Sequence, residues 1–321
     1  CLSPILTPYI SSPYISPEMS LREYRTAVEL SQLLEKELEQ DPLRENPLTA
    51  LLDSTLRVVI DGEFPITHLD VLGYPSVNPQ YVYCMEISDV QHPYMHVRAP
   101  PTSEVDTKIA YDGAKLVIDR YRNQILAQGR IMISTDQKTS DAFESVLAEA
   151  FDGRAKRIVE SECGMFYMTK EQRDKLISME IVPPEGFTLQ PVDVAKDGDT
   201  IHSSWKNGIS VDITKARLSC FPAISARDSN DNLAGWAITG RFGQISNEFV
   251  VPEHRGKGLG RAVELAQAQQ LARKGRRVFK YIEMTNEIVF ATSLRSSNWT
   301  MWREGGERKP IYFRKYEISA N

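Results

Sequence analysis

Cysteine is scarce in this chain of 321 residues: Cys1, Cys84, Cys163 and Cys220 stand far apart, with no C-x-x-C pair among them. That spacing argues against a disulfide framework and against a zinc site. No His, Cys or carboxylate cluster has metal-ligand spacing either, so no metal is expected. Cys84 and Cys163 sit in apolar runs and read as small buried hydrophobes, which fits a reducing compartment. Long apolar runs are missing too. No stretch reaches the about 18 residues that a membrane span needs, so no membrane partner is expected. Positive charge is not in excess: the formal net charge is −5, and no global basic field speaks for nucleic acid. The local cluster Arg273, Lys274, Arg276, Arg277 and Lys280 is expected to be a solvated helix end followed by a strand edge. The opening Cys-Leu-Ser-Pro-Ile-Leu-Thr-Pro has no Arg-rich transit pattern, and the expected location is cytoplasmic.

What is present is an ordinary globular composition, 41% hydrophobic and 25% charged, at a length that suits two domains. Residues 1–20 carry Pro4, Pro8, Pro13 and Pro17 and are expected to form an extended or disordered arm. Helical spacing of Tyr24, Ala27, Val28, Leu30, Leu33 and Leu34 predicts an amphipathic helix over Leu21 to Glu39. A short helix at Pro47 to Asp53 and a strand-like run at Leu56 to Ile60 follow. Strands are predicted at His68 to Leu72, Tyr81 to Ile87 and Tyr94 to Arg98. Alternating helices and strands then run through Met168, and a short helix covers Lys170 to Met179. The best linker is Val182-Pro-Pro-Glu-Gly186, because paired prolines bar helix continuation. It divides a first domain, 21–182, from a second, 186–321. Both are α/β (α+β) in element order. The first contains no glycine loop, so it is not expected to bind a phosphate.

The second domain is organised around Asn247-Glu-Phe-Val-Val-Pro-Glu-His-Arg-Gly-Lys-Gly-Leu-Gly-Arg261, where an apolar strand enters a glycine-punctuated turn and then a helix. Gly256, Gly258 and Gly260 allow conformations closed to other residues and a close approach to the main chain. The first turn of the helix offers unpaired N–H groups and the positive end of its dipole, both of which favour a phosphate or pyrophosphate. Arg255, Lys257 and Arg261 add cations. The spacing does not match a Walker loop, since Lys257 lies between glycines and Leu259 follows Gly258. Nor does it match G-x-G-x-x-G. Arg255 to Gly260 reads R-x-x-G-x-G behind Val-x-Pro-Glu, and this resembles the acyl-CoA-binding motif of the Gcn5-related N-acetyltransferase (GNAT) superfamily.

A narrower resemblance, to the glycine N-acyltransferase-like family, rests on Trp205, Phe221-Pro222, Trp236, Pro252-Glu253-x-Arg255-Gly256-x-Gly258-Leu259, Ala266-Gln-Ala-Gln269, Asn286-Glu287 and Trp299-x-x-Trp302. It covers roughly residues 186–302. It implies tandem GNAT-like domains, a mixed central sheet flanked by helices, and a first domain without the cofactor loop. The long irregular stretch from Arg295 to Pro310 before the last strand suggests an exchange of terminal strands. A mitochondrial location is also compatible with the family. The co-substrate implied is acetyl-CoA or another acyl-CoA, and the acceptor is a small amine such as glycine or another amino acid. Arg255, Gly256, Lys257, Gly258, Leu259, Gly260 and Arg261 would hold the cofactor. Backbone N–H groups of Phe249, Val250 and Val251 would bind the pantetheine and an oxyanion, and Asn286 the thiol arm. For the base, Glu248 is the candidate, because the acidic place eight before the motif proline holds Gln244. Strand alternation predicts Gln244, Ser246 and Glu248 on one face. Ser293 stands where many members carry the acid that protonates the thiolate, and His202 and His254 are expected to be bystanders. A CoA-binding pseudoenzyme and a protein-amine acetyltransferase are the alternative readings. Oligomeric state is not legible.

Overall fold

A computed structural model describes residues 17–40, 47–60, 62, 68–89, 91–205, 208 and 210–319, so most of the expected N-terminal arm lies outside the described residues. Where apolar spacing predicts helix from Leu21, the chain instead enters as strand β1 (Arg22–Tyr24). Tertiary pairing overrides the local pattern: Tyr24 is buried and stands opposite Val71 of the next strand. Helix α1 (Ala27–Gln40) starts only after a reciprocal cap. In that cap Thr26 Oγ1 accepts from the Glu29 N–H (3.2 Å) and the Glu29 carboxylate accepts from the Thr26 N–H (3.1 Å). Helix α2 (Pro47–Ile60) runs through the segment predicted as a strand at Leu56 to Ile60. There Leu51, Leu52 and Leu56 bury one helical stripe, and that burial outweighs the strand preference of Val58, Val59 and Ile60.

Strands β2 (His68–Tyr74), β3 (Tyr81–Ser88) and β4 (Gln91–Arg98) form an antiparallel meander. Then α3 (Thr107–Gln128), β5 (Arg130–Thr135), α4 (Gln137–Ala150), β6 (Ala155–Tyr167) and α5 (Lys170–Ser178) alternate. The Pro-Pro connector leads from α5 to β7 (Phe187–Pro191). After it come α6 (Val194–Ser203), α7 (Val211–Cys220), β8 (Ala223–Asp228), β9 (Leu233–Thr239), β10 (Ile245–Val250), α8 (Leu259–Arg273), β11 (Phe279–Glu283), α9 (Glu287–Arg295), β12 (Thr300–Met301) and β13 (Ile311–Ile318). From β1 to β6 the order is strand, two helices, three strands, helix, strand, helix, strand. From β7 onward the same order returns, with β12 added, so the chain is an internal repeat in which α3 corresponds to α8.

All strands join one mixed sheet flanked by helices, in the order β1-β2-β3-β4-β5-β13-β6-β11-β10-β9-β8-β7, with β12 on β6. This is the expected α/β class. The centre of the order shows that the terminal strands are exchanged. Strand β13 of the second half lies between β5 and β6, and β6 of the first half pairs with β11. Among the described residues no helix is long and apolar enough to cross a membrane.

Buried ions fasten the seam. Arg314 of β13 is 4% exposed and reaches Glu160 (2.6 Å) on β6 and Asp141 (2.6 Å) on α4. Asp53 of α2 pairs with Arg277 (2.9 Å) ahead of β11. Arg241, in the β9–β10 hairpin, pairs with Glu86 (2.7 Å) and Gln91 (2.9 Å) of the first half. Helix α8 sits deep in the second half because both of its flanks are covered. Gln267 donates to Pro222 O (2.6 Å) on one side, and Gln269 donates to Met179 O (2.6 Å) on the other.

Arg314→Met is expected to lower the unfolding free energy by about 2 kcal/mol, since the partly solvated carboxylates temper the loss of a buried cation. Urea denaturation measures this. A single transition is expected because each half holds the other's last strand, and two separated transitions would contradict that account.

Candidate active site

The site begins at a break in the sheet. Parallel strands β10 and β11 share one register pair, Ile245 with Lys280. Immediately beyond it β10 bulges between Ser246 and Phe249, with Asn247 at φ 43° and its side chain bonded to Ile201 O (3.4 Å). The bulge bends β10 away from β11. A cleft of about 440 Å³ opens between them and is closed by first-half residues Tyr94, Met132, Ser161 and Cys163. A larger cavity of about 560 Å³ lies around α2 and β2 of the first half, but it collects none of the motif residues.

At the mouth of the cleft is the glycine turn. Gly256 (φ 75°) and Gly258 (φ 82°) adopt the left-handed conformation in open space, so they are required for their backbone and not for room. Gly258 caps α8 without any side-chain hydrogen bond. Among the described residues nothing accepts from the N–H groups of Leu259, Gly260 and Arg261, which leaves the helix start as an open donor cradle. Arg255, Lys257 and Arg261 are exposed around it. The Arg255 Nε donates to Val250 O (3.0 Å), and its guanidinium lies 5.5 Å from the Phe249 ring centre. Leu259 contributes only main chain, because its side chain is buried in the core. This set of open donors and exposed cations fits a pyrophosphate. The corresponding helix of the first half does not: the carboxylate of Asp106 occupies the α3 N terminus, accepting from the N–H groups of Lys108 (2.8 Å) and Ile109 (3.1 Å).

Of the three main-chain donors expected on β10, strand alternation turns one away from β9. The Val251 N–H donates to Ala234 O (3.0 Å) in the ladder with β9. Antiparallel alternation sends the Phe249 N–H the same way and the Val250 N–H to the open side. Phe249 stacks on Trp236 at 4.8 Å.

The bulge also breaks the expected alternation of Gln244, Ser246 and Glu248, and every residue from Gln244 to Phe249 lines the cleft. Gln244 turns its side chain onto its own hairpin, where Oε1 accepts from the Phe242 N–H (3.1 Å). Glu248 is exposed along the splayed edge, but its carboxyl turns inward against the first turn of α8. A Cβ on Gly260 would stand 3.1 Å from Glu248 Oε1, so the third glycine of the motif makes room for this carboxyl. Below it Glu264 of α8 shares a hydrogen bond with Glu248, pairs closely with Lys280 and accepts from Trp299 Nε1 (3.2 Å). Lys280 Nζ sits 4.4 Å from the Trp299 ring centre. Burial raises the Glu248 pKa and the neighbouring Glu264 carboxylate raises it further, opposed by Lys280, to about 8. A carboxyl whose proton affinity is raised in this way can exchange a proton near neutral pH.

Asn286 caps α9 and lines the cleft. Ser293 does not reach it: the side chain is buried under α9, 3% exposed, because it points to the sheet side of that helix. His202 bonds Thr214 Oγ1 (3.0 Å) and His254 packs edge-on against Phe187 (5.1 Å), so neither serves the cleft. Glu264 escaped the sequence reading. The available signal was an acid four residues after Gly260 within an otherwise buried helix stripe, which places it one turn beneath the cradle. Lys280 and Arg277, expected in a solvated cluster, are instead 5% and 8% exposed, because each is drawn inward by a buried carboxylate, Glu264 and Asp53.

Residues 225–291 match the family model described as FR47-like protein. The whole chain is similar to several solved structures. A Drosophila melanogaster protein is 14% identical, with a TM-score of 0.70 over 93% of this chain and 98% of that one. A tandem GNAT protein from the clavulanic acid biosynthesis pathway is 14% identical, with a TM-score of 0.54 over 94% of this chain and 100% of that one. A GCN5-related N-acetyltransferase from Kribbella flavida is 12% identical, with a TM-score of 0.51 over 84% of this chain and 96% of that one. At these identities the likeness shows the fold, which is that of tandem GNAT proteins.

The raised Glu248 pKa has a consequence for stability. The folded chain keeps this proton up to about pH 8, whereas an unfolded glutamate releases it near 4.5. Between these values the folded state binds the extra proton, so the stability it contributes is full below about pH 4.5 and is lost as pH rises through 8. Glu248→Gln removes that loss. Its Tm relative to wild type is expected to climb as pH goes from about 5 to about 9, as followed by thermal melts, and a pH-independent difference would contradict the assignment.

Proposed function

We propose that the chain is an acyl-CoA-dependent N-acyltransferase that moves an acetyl or other acyl group to a small amine, with glycine or another amino acid as the acceptor its subfamily resemblance implies. The observation that carries this reading is a juxtaposition: the Glu248 carboxyl turns against the first turn of α8, beside the splayed strands β10 and β11 and directly behind an open anion cradle. Acyl-CoA, when bound, supplies a thioester carbonyl as electrophile and a thiolate as leaving group.

Each protein group then has a bounded task. The N–H groups of the α8 first turn, with Arg255, Lys257 and Arg261, hold the pyrophosphate. Gly256 and Gly258 give the turn the shape that exposes those donors. The Val250 N–H is placed to donate to charge developing on a carbonyl oxygen, and Asn286 borders the path of the thiol arm. Glu248 takes the proton of the attacking amine, with its basicity matched to that work near neutral pH. Glu264 and Lys280 position this carboxyl and set its proton affinity. Ser293, buried away from the cleft, has no part in this scheme.

Glu248→Gln tests the reading through thiol release with acetyl-CoA and a panel of small amines. The expected outcome is a fall in kcat of about 10²- to 10⁴-fold, with acetyl-CoA affinity changed less than about twofold. Since the base works only when deprotonated, wild-type kcat at saturating amine is expected to rise with pH and level off above about 8, and the variant to lose that limb. Unchanged turnover in the variant sinks Glu248 as the base, and absence of turnover with every amine sinks the enzyme.

A further inference from the structure

Arg217, on α7, is a buried arginine of the cleft that has no anionic partner among the described residues. It is 4% exposed and lines the same cavity as Glu248. Its Nε is buried without a hydrogen-bond partner, and its guanidinium lies 5.5 Å from the Trp205 ring centre. Among the described residues, the other buried arginines all have a carboxylate: Arg98 has Glu37, Arg227 has Asp197, Arg277 has Asp53 and Arg314 has Asp141. After burial, the strongest electrostatic influence on Arg217 is another cation, Arg241, whose own carboxylate Glu86 is engaged at 2.7 Å. Burial and that neighbour both act against the Arg217 charge and pull its pKa down to about 9, which leaves it cationic at neutral pH. A buried cation left unpaired by the protein is costly, and a bound anion removes that cost.

The geometry points to Arg217 as the anion-recognition residue of the acceptor cleft, taking the carboxylate of an amino-acid-sized amine. This rests on the transferase reading and adds what the acceptor must carry. The planar guanidinium fork matches a carboxylate with two parallel hydrogen bonds. The charged neighbours of Arg217 are Arg241 and Glu86, and those of Glu248 are Glu264 and Lys280. Cation and base line one cleft of about 440 Å³, the guanidinium beside Trp205 and the carboxyl against the first turn of α8. A small molecule with an amine at one end and a carboxylate at the other meets both. The other carboxylate lining the cleft, Glu283, accepts from Ser161 Oγ (3.2 Å).

Paired probes that differ only in that charge test the proposal. N-acetylglycine and N-acetylglycinamide are titrated calorimetrically into the full chain, with and without CoA, for wild type, Arg217→Gln and Arg217→Lys. In parallel, kcat/KM is compared for glycine and glycinamide. Wild type is expected to bind the acid at least about tenfold more tightly than the amide, Arg217→Gln to bind both alike, and Arg217→Lys to recover part of the preference. The Tm of Arg217→Gln is expected not to fall, since an unpaired charge has been removed. Equal binding of acid and amide by wild type, or an undiminished preference in Arg217→Gln, overturns the proposal. A lowered Tm with unchanged preference makes Arg217 a packing residue on Trp205. Acid-selective binding without turnover of any amine supports the anion site while overturning the transferase reading. Turnover without acid preference does the reverse.

Discussion

One backbone pairing, Ile245 with Lys280, is all that joins β10 to β11. A parallel pair running on in register would have filled its own cleft with main-chain hydrogen bonds. The left-handed residue Asn247 prevents this by adding a bulge to β10, and a bulge both bends a strand and increases its twist. From that departure follow the cavity, the outward Val250 N–H and the freedom of Glu248 to turn its carboxyl under α8. Gly260 completes the arrangement by leaving no Cβ where the carboxyl passes. Motif glycines that look equivalent in a string thus do two different jobs: two set backbone shape and one provides space.

The internal repeat supplies a control within the same molecule. Helices α3 and α8 occupy corresponding places, each between two parallel strands. In the first half the pair β4 and β5 keeps a longer register, Tyr94 to His96 against Met132 to Ser134, and Asp106 satisfies the helix start. In the second half the register is cut to one pair and a glycine leaves the donors open. Identical topology therefore gives one sealed helix end and one receptive end, and a few local residues decide which. The first half contributes walls instead of a cradle. Its Tyr94, Met132 and Cys163 face the cleft, and the exchanged strands β6 and β13 hold the two halves in register.

Much of this was legible in the chain. Gly256 and Gly258 could be read because positive φ is a local demand that glycine meets, and the helix that follows them is locally encoded. The α/β class and most elements followed from apolar spacing. The failures share a physical cause, which is that distant pairing outweighed local pattern. At Arg22 to Tyr24 the partner strand β2 overrode helical spacing. At Leu56 to Ile60 a buried stripe overrode β-branched residues. Period-two reasoning on β10 failed because a bulge moves side chains between faces. Glu264, Lys280 and Arg217 were unreadable for a related reason: each matters through what lies beside it in space, and the charges around Arg217 include Glu86, from the other half of the chain.

Electrostatics tie the fold to its proposed chemistry. The protein keeps a carboxyl partly buried against another carboxyl and a lysine, an arrangement that stability alone does not favour above pH 4.5. Such arrangements recur where a proton must move. All of it presumes that the α8 cradle holds an acyl-CoA. The most direct measurement is calorimetric titration of the full chain with acetyl-CoA, for wild type and for Gly258→Glu, which strains the left-handed cap and places a negative charge at the helix start. The account predicts saturable binding by wild type that is lost in the variant. No binding by wild type, or equal binding by both, would contradict it.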